Sequence, residues 1–136
     1  MTLLLVLWIN LYPFIQDEIK WFGPEQVIPN AEKPYFIKVY AKWCGWCKKL
    51  DKTTFLEPEV ITTLNQHFIP IHLDGESDTK INVGGQVFQT RDFLKHIQIE
   101  GYPTLVMIDK NGAISEVSPG YKTDKQLLRM LRKHME

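Results

Sequence analysis

The sequence predicts an α/β domain in which a central mixed β-sheet carries helices on both faces. The first half of the chain alternates strand and helix patterns as a β-α-β unit does, and the second half ends with two strand patterns and a helix. The length of 136 residues suits one domain. A hydrophobic content of 44% is typical of a globular protein with its own core rather than of a disordered chain.

The N-terminus begins with an unbroken apolar run, Leu3–Ile9, that no lysine or arginine precedes. The run is too short for a bilayer, which needs about 20 residues, so we expect no stable membrane span. Its length is typical of the apolar part of a secretory leader. We interpret residues 1–15 as a leader remnant or an apolar N-terminal element packed on the domain, and residues 16–136 as the domain itself. A leader indicates export, and a cytoplasmic location is the alternative.

Strand and helix signals alternate from residue 35 onward. Tyr35–Tyr40 is rich in aromatic and β-branched residues, which favours a strand. Lys48–Phe55 is predicted to continue, after the cysteine motif, as a helix that ends before Pro58, because the residue before a proline is pushed out of the α region. A second helix can begin at Pro58, and Phe68–Leu73 predicts the next strand.

The segment around residues 75–90 is the least regular and is longer than a plain connection. Gly84 and Gly85 lie between two short strand-like segments. Because a Gly-Gly turn supplies the positive φ angles of a tight hairpin, we predict a small hairpin inserted here. Thr90 or Asp92 is expected to cap a short helix that follows it.

The C-terminal part predicts a hairpin and a final helix. Thr104–Ile108 is apolar throughout, which indicates a buried strand, and Ile114–Val117 returns as a strand after an Asn-Gly turn. Thr123 and Gln126 have the spacing of a capping box, which predicts the start of the last helix.

The chain has two cysteines, Cys44 and Cys47. A structural disulfide stabilises mainly by closing a long loop, and this pair closes almost none, so reactivity or metal binding must explain it. Structural zinc sites usually take four Cys or His ligands, and the four histidines of the chain show no ligand spacing. We therefore predict no metal and no cofactor beyond a redox-active Cys44–Cys47 disulfide.

The pair follows a strand and opens a helix, which predicts thiol reactivity. A helix N-terminus stabilises a thiolate through its free N–H groups and its dipole. We expect Cys44, at the more exposed helix start, to attack a partner disulfide, and Cys47, one turn further in, to resolve the mixed disulfide. Gly45 leaves room for a partner chain, and Trp43 and Trp46 are expected to form an apolar platform around the sulfurs.

The cysteine segment resembles the active site of thioredoxin-like proteins. Residues 41–49, A-K-W-C-G-W-C-K-K, are similar to the family's A-x-W-C-x-x-C-K, and residues 101–104, G-Y-P-T, resemble its G-x-P-T. Residues 48–60 also resemble exported bacterial members, among them periplasmic disulfide-reducing and cytochrome-maturation proteins. The matches extend in order from about Lys33 to the C-terminus.

The resemblance implies a thioredoxin-like fold and a thiol–disulfide oxidoreductase. It also implies a cis bond before Pro103, which with Tyr102 would bind a partner segment in a strand-like pose beside the cysteines. The expected partners are proteins with disulfides or dithiols and an upstream electron donor, in an exported or periplasmic setting. The net charge of +0 gives no reason to expect nucleic acid, and we expect a monomer.

Two other classes of function are compatible with the residues. One is a non-enzymatic thioredoxin-like module that senses redox state or holds a metal. The other is a peroxide- or glutathione-using enzyme, although the sequence shows no distinctive tripeptide site.

The chain departs from ordinary thioredoxins behind the cysteines. Those proteins carry a buried aspartate six residues before the first cysteine, where this chain has Lys38. Their buried lysine on the next strand has no clear match, because Pro70 lies near that position. The proton acceptor for Cys47 is therefore left open between Asp51, Glu100 and water, as are the reduction potential and the direction of electron flow.

Overall fold

The computed structural model describes residues 18–135, so the N-terminal element predicted for residues 1–15 lies outside the described part. Within it the chain forms six strands and four α-helices. In order they are β1 (Tyr35–Tyr40), α1 (Gly45–Lys52), α2 (Pro58–His67), β2 (Ile69–Asp74), β3 (Lys80–Val83), β4 (Gln86–Gln89), α3 (Thr90–His96), β5 (Thr104–Ile108), β6 (Ile114–Pro119) and α4 (Asp124–Arg132).

The central sheet is mixed, as predicted, with the strand order β2-β1-β5-β6. β1 is parallel to β2, whereas β5 is antiparallel to both β1 and β6. Because side chains alternate along a strand, Phe36 and Leu105 face a core built with α1, α2 and α4. Ile37 and Val106 face a second core, built with α3 and the β3–β4 hairpin. The prediction of helices on both faces is confirmed.

Pro70 lies inside β2 although it has no N–H group to donate. The N–H of Ile69 donates to the Pro34 carbonyl at 2.9 Å, so the nitrogen of Pro70 points away from β1. On that outer side the Pro70 carbonyl accepts from the N–H of Phe22 at 2.8 Å. β2 is the edge of the four-stranded sheet, where a proline costs no bond to the neighbouring strand.

The insertion forms the predicted hairpin, and it packs on the rest of the domain. Gly84 and Gly85 have φ angles of 62° and 88°, as the tight turn requires. Gly112, in the turn between β5 and β6, lies so close to this turn that a Cβ added to it would be 2.7 Å from the Gly84 Cα. The two turns therefore touch at two glycines.

Helix α3 begins differently from the prediction. Gln89 is its N-cap residue and makes no side-chain capping bond, so the expectation that Thr90 or Asp92 caps the helix is wrong. Thr90 is instead the first helical residue, and its buried hydroxyl donates to the Thr79 carbonyl at 2.7 Å. A tertiary bond to the preceding loop has replaced the local capping bond.

Candidate active site

Cys44 and Cys47 form a disulfide at the beginning of α1, with Cα atoms 5.3 Å apart. Cys44 is the N-cap residue, and its Sγ accepts a hydrogen bond from the Cys47 N–H at 3.1 Å. The sulfur thus occupies the place that a serine or aspartate oxygen takes in an ordinary cap. α1 accordingly begins at Gly45, so the prediction that the cysteine motif opens a helix is confirmed. A Cys44 thiolate would keep this N–H and the positive end of the helix dipole.

Both cysteines are buried, and each has an exposed fraction of only 3%. The expectation that Cys44 is more exposed than Cys47 is therefore wrong. Tyr40 and Tyr102 pack against the small cluster that the cysteines form with Ala41, and they cover the helix start. Position along a helix alone did not predict this cover, because the two tyrosines come from the end of β1 and from the loop before β5.

The loop before β5 lies beside the disulfide. The Tyr102–Pro103 peptide bond is cis, as the resemblance implied. Pro103 is buried, and its carbonyl accepts from the N–H of Gly120 at 2.8 Å. The Tyr102 ring covers Gly75, where an added Cβ would lie 2.5 Å from a ring carbon. These contacts hold the cis bond against the sheet.

Trp43 is a surface residue, with 67% of it exposed. Its indole N–H donates to Glu76 Oε1 at 2.7 Å, and its ring meets Tyr102 edge-on with 5.9 Å between centroids. The indole is therefore held in place by the insertion on one side and by the loop of the cis bond on the other.

Trp46 is likewise exposed, by 57%, but it is held by a different loop. Its ring centroid lies 5.6 Å from that of Tyr121, and Lys49 Nζ lies 4.9 Å from the indole centroid. A Cβ added to Gly45 would have no atom within 4 Å. The surface around the buried disulfide is thus two exposed indoles with open space at Gly45, and binding of a partner there remains a prediction.

Lys38 is almost completely buried, with 2% exposed. Its ammonium donates to Asp51 Oδ1 at 2.7 Å and lies 5.0–5.6 Å from three aromatic rings, those of Trp21, Tyr40 and Phe55. Burial lowers the pKa of Lys38 below its ordinary 10.5, and the hydrogen bond and charge of Asp51 oppose that shift.

Asp51 follows Cys47 by four residues in α1, so both side chains lie on one face of the helix. The carboxylate that pairs with Lys38 is therefore one helical turn from the second cysteine. Glu100, the other acid considered from the sequence, is exposed in the loop that leads to the cis bond.

His72 completes this group, and sequence reasoning missed it. It lies directly opposite Lys38 in the β1–β2 register, whereas Pro70 lies opposite Phe36. Its ring stacks on Tyr40 with 4.1 Å between centroids. Burial, and then the charge of Lys38, lower the pKa of His72 from 6.5 to about 4. Counting the parallel register from the predicted strand starts, Tyr35 and Phe68, would have placed Ile71 opposite Lys38, because β2 begins one residue later, at Ile69.

Two further properties concern the described part of the chain. Residues 18–135 contain no group of three or more His, Cys, Asp or Glu side chains arranged to hold a metal ion. No helix in that range is long and apolar enough to cross a membrane.

A family model described as a thioredoxin-like domain matches residues 25–135. The chain belongs to the thioredoxin-like family. The thiol:disulfide interchange protein DsbD of Tatumella citrea is 35% identical to this thioredoxin-like chain over 113 residues. The match covers 80% of this chain but 18% of the relative, so the chain spans less than a fifth of the length of the curated relatives it matches.

Solved structures show the same thioredoxin fold. A thioredoxin from Thermus thermophilus superposes with a TM-score of 0.65 at 17% identity, over 85% of this chain and 86% of that one. The oxidised C-terminal domain of Neisseria meningitidis DsbD gives 0.57 at 21% identity, over 75% and 80%. The family, the interchange-protein relatives and the Cys44–Cys47 disulfide together support thiol–disulfide oxidoreductase activity.

Proposed function

We propose that this thioredoxin-like chain reduces disulfides in partner proteins through a Cys44/Cys47 dithiol–disulfide cycle. The observation that carries the proposal is the place of the pair: a disulfide at the N-cap of α1, next to the loop of the cis Tyr102–Pro103 bond. Membership of the thioredoxin-like family and the relatives named as thiol:disulfide interchange proteins support it.

The cycle starts from the reduced pair. The Cys44 thiolate attacks one sulfur of the partner disulfide, and a bond forms between the two proteins as the partner's bond breaks. The leaving sulfur departs as a thiolate and takes up a proton. Cys47 then loses its proton and attacks the Cys44 sulfur, so the second partner sulfur leaves and is protonated. Two electrons and two protons have passed to the partner, and an upstream dithiol donor then reduces the Cys44–Cys47 disulfide.

Electrostatics rather than access assigns Cys44 as the first nucleophile, since both cysteines are equally buried. The Cys44 sulfur already accepts the N–H of Cys47 and lies at the positive end of α1. Exposed lysines before and after it in the chain add the same sign of charge: Lys42, Lys48 and Lys49. Cys47 lies inside the first turn of α1, and the helix is capped by the sulfur of Cys44 instead of its own. This position suits a resolving thiol.

The partners we propose are proteins with disulfides and a separate dithiol donor, met by a monomeric chain outside the cytoplasm. The names of the relatives support the partner class. The likeness of residues 48–60 to exported family members supports the location. Fractionation of cells that carry the complete gene would test the location directly.

The roles of the two cysteines are tested with Cys44→Ser and Cys47→Ser in the full chain. Turnover is measured with insulin as substrate and dithiothreitol as donor, whereas the mixed disulfide is trapped with pre-reduced protein from which dithiothreitol has been removed. We expect Cys44→Ser to abolish turnover and Cys47→Ser to accumulate a mixed disulfide, visible on a non-reducing gel. Glu59→Gln, on the exposed surface of α2, is the matched control and should react as the wild type does.

Three outcomes would contradict the proposal in different ways. Wild-type turnover by both serine variants would overturn the function. A mixed disulfide trapped by Cys44→Ser instead of Cys47→Ser would reverse the roles. A redox titration in glutathione buffers, followed by tryptophan fluorescence, separates the alternatives: a transition that a chelator abolishes would favour a metal-holding module.

A further inference from the structure

The two indoles beside the disulfide have partners of opposite charge. We name Trp43, Tyr102 and Glu76 the acidic arm, and Trp46, Tyr121 and Lys49 the basic arm. Each arm consists of an exposed tryptophan, a tyrosine from a separate loop that packs on it, and one charged side chain in contact with the indole.

The acidic arm carries a negative field. Glu76 is exposed and accepts the Trp43 indole N–H, and its own N–H donates to Asp74 Oδ1 at 3.0 Å. Two carboxylates thus lie next to Tyr102. Burial first, and then the charges of Glu76 and Asp74, raise the pKa of Tyr102 above its ordinary 10.0.

The basic arm carries the opposite field. Lys49 Nζ lies 4.9 Å from the Trp46 centroid and 5.2 Å from that of Tyr121. The hydrogen bond between the Thr53 and Tyr121 hydroxyls is the first cause that lowers the pKa of Tyr121 below 10.0, and the charge of Lys49 adds to it. The pKa values of Tyr102 and Tyr121 are therefore shifted in opposite directions.

Both charges are available to a partner. Among residues 18–135, the ion pairs within 4.0 Å include neither Glu76 nor Lys49. Trp43 and Trp46 are 67% and 57% exposed, whereas each cysteine is 3% exposed. A partner sulfur can reach Cys44 only if the segment around it contacts this surface, so the charges there bias which segments react.

We propose that the two arms select partner segments by charge order. The preferred polypeptide carries a basic side chain on the side of its reactive cysteine that meets the acidic arm, and an acidic side chain on the side that meets the basic arm. This inference rests on the proposed function and names the partner class of the same site. Glu76 and Lys49 are its specificity-determining residues, and neither touches the reacting sulfurs. A partner with the reverse order would place like charges together, which slows encounter and weakens the complex.

Two synthetic peptides of identical composition test the charge order. Each carries one cysteine as a mixed disulfide with 2-thiopyridine; in one, lysine precedes and glutamate follows the cysteine, and in the other the order is reversed. A third peptide has glutamine at both places. Release of 2-thiopyridone by the reduced full-length protein, followed by absorbance, gives the rate of attack on each peptide.

The wild type should attack one charge order about threefold or more faster than the other at low salt. The double variant Lys49→Glu/Glu76→Lys should invert that preference, and Lys49→Gln/Glu76→Gln should erase it. The preference should collapse in about 0.5 M salt, since exposed charges are screened. The matched control is Glu59→Lys/Arg132→Glu, which reverses an exposed ion pair between α2 and α4 and should leave the preference unchanged.

The outcomes separate this inference from the function on which it rests. Equal rates with the two charge orders, or a preference that survives the double reversal, would overturn the inference while attack on the glutamine peptide upholds the function. No attack on any peptide, with Cys44→Ser behaving as the wild type does, would overturn both.

Discussion

Asp51→Asn is predicted to destabilise the protein more than replacement of the lysine it pairs with. Lys38 Nζ and Asp51 Oδ1 are 2.7 Å apart, with Lys38 2% and Asp51 48% exposed. The amide of asparagine cannot offset the desolvation of the buried ammonium. Breaking a buried pair from one side costs about 3–5 kcal/mol. Because water reaches the half-exposed Asp51 site, we expect a loss of about 1–3 kcal/mol in the free energy of unfolding.

Lys38→Met removes the buried charge itself and should change the stability by less. Methionine keeps an apolar chain of similar length against the rings of Trp21, Tyr40 and Phe55. The freed Asp51 carboxylate can turn to water, since its site is half-exposed. Replacing a buried ion by an apolar group is often neutral, so we expect a change within about 1 kcal/mol.

The alkaline pH dependence should show the same asymmetry. The pKa of Lys38 is lowered from 10.5 by burial, so between the lowered value and 10.5 the unfolded chain holds a proton that the folded protein has released. Stability rises with pH in that window. Asp51→Asn removes the opposing carboxylate and extends the window toward neutral pH, whereas Lys38→Met abolishes this contribution.

Urea unfolding followed by circular dichroism measures both effects, near neutral pH and along an alkaline series, with the disulfide intact in every variant. Glu59→Gln, at an exposed surface ion pair, is the control and should change stability by less than about 1 kcal/mol. The reasoning is refuted if Asp51→Asn is as stable as the wild type, or if Lys38→Met is the more destabilised of the two.

Three other substitutions have expected outcomes. The folded pKa of His72 is about 4 against 6.5, so the unfolded chain takes up a proton first. Because solvent screens this partly buried ring, stability should fall by about 1–3 kcal/mol from pH 6.5 to 4. His72→Gln should flatten this acid limb in urea unfolding. Gly45→Ala adds a Cβ into open space, so the free energy of unfolding should change by less than about 1 kcal/mol. Insulin reduction should slow, because the methyl group occupies space proposed for the partner. An unchanged rate would argue against a partner at Gly45. Gly75→Ala must displace the Tyr102 ring, which should cost about 1–3 kcal/mol and alter Trp43 fluorescence; identical emission would contradict the packing.

The elements that the sequence predicted well are those whose signals are local. Tyr35–Tyr40 is a strand with the predicted bounds, and the capping box of Thr123 and Gln126 is present in full. The cysteine motif was predicted to open a helix with Cys44 at its start, and α1 does begin directly after Cys44. α3 was given a local cap that a tertiary bond of Thr90 replaces.

The features of the site likewise divide into those that the sequence predicted and those that it did not. The Cys44–Cys47 spacing and the cis bond before Pro103 were predictable because each is written in adjacent residues. The burial of both sulfurs and the pairing of Lys38 with His72 across β1 and β2 depend on segments that are distant in the chain. Local pattern carries no information on which side chain covers another, so these features emerge only from the fold.

Because Lys38 occupies the strand position, the carboxylate near the second cysteine comes from a helix. The thioredoxins that this chain resembles place an acid on the strand, whereas here the strand supplies the ammonium and α1 supplies the carboxylate of Asp51. Asp51 lies one helical turn after Cys47 on the same face, while Glu100 is exposed in another loop. Of the two acids, Asp51 is the one whose position suits proton exchange with Cys47. The pH dependence of the resolving step should therefore shift in Asp51→Asn and stay unchanged in Glu100→Gln.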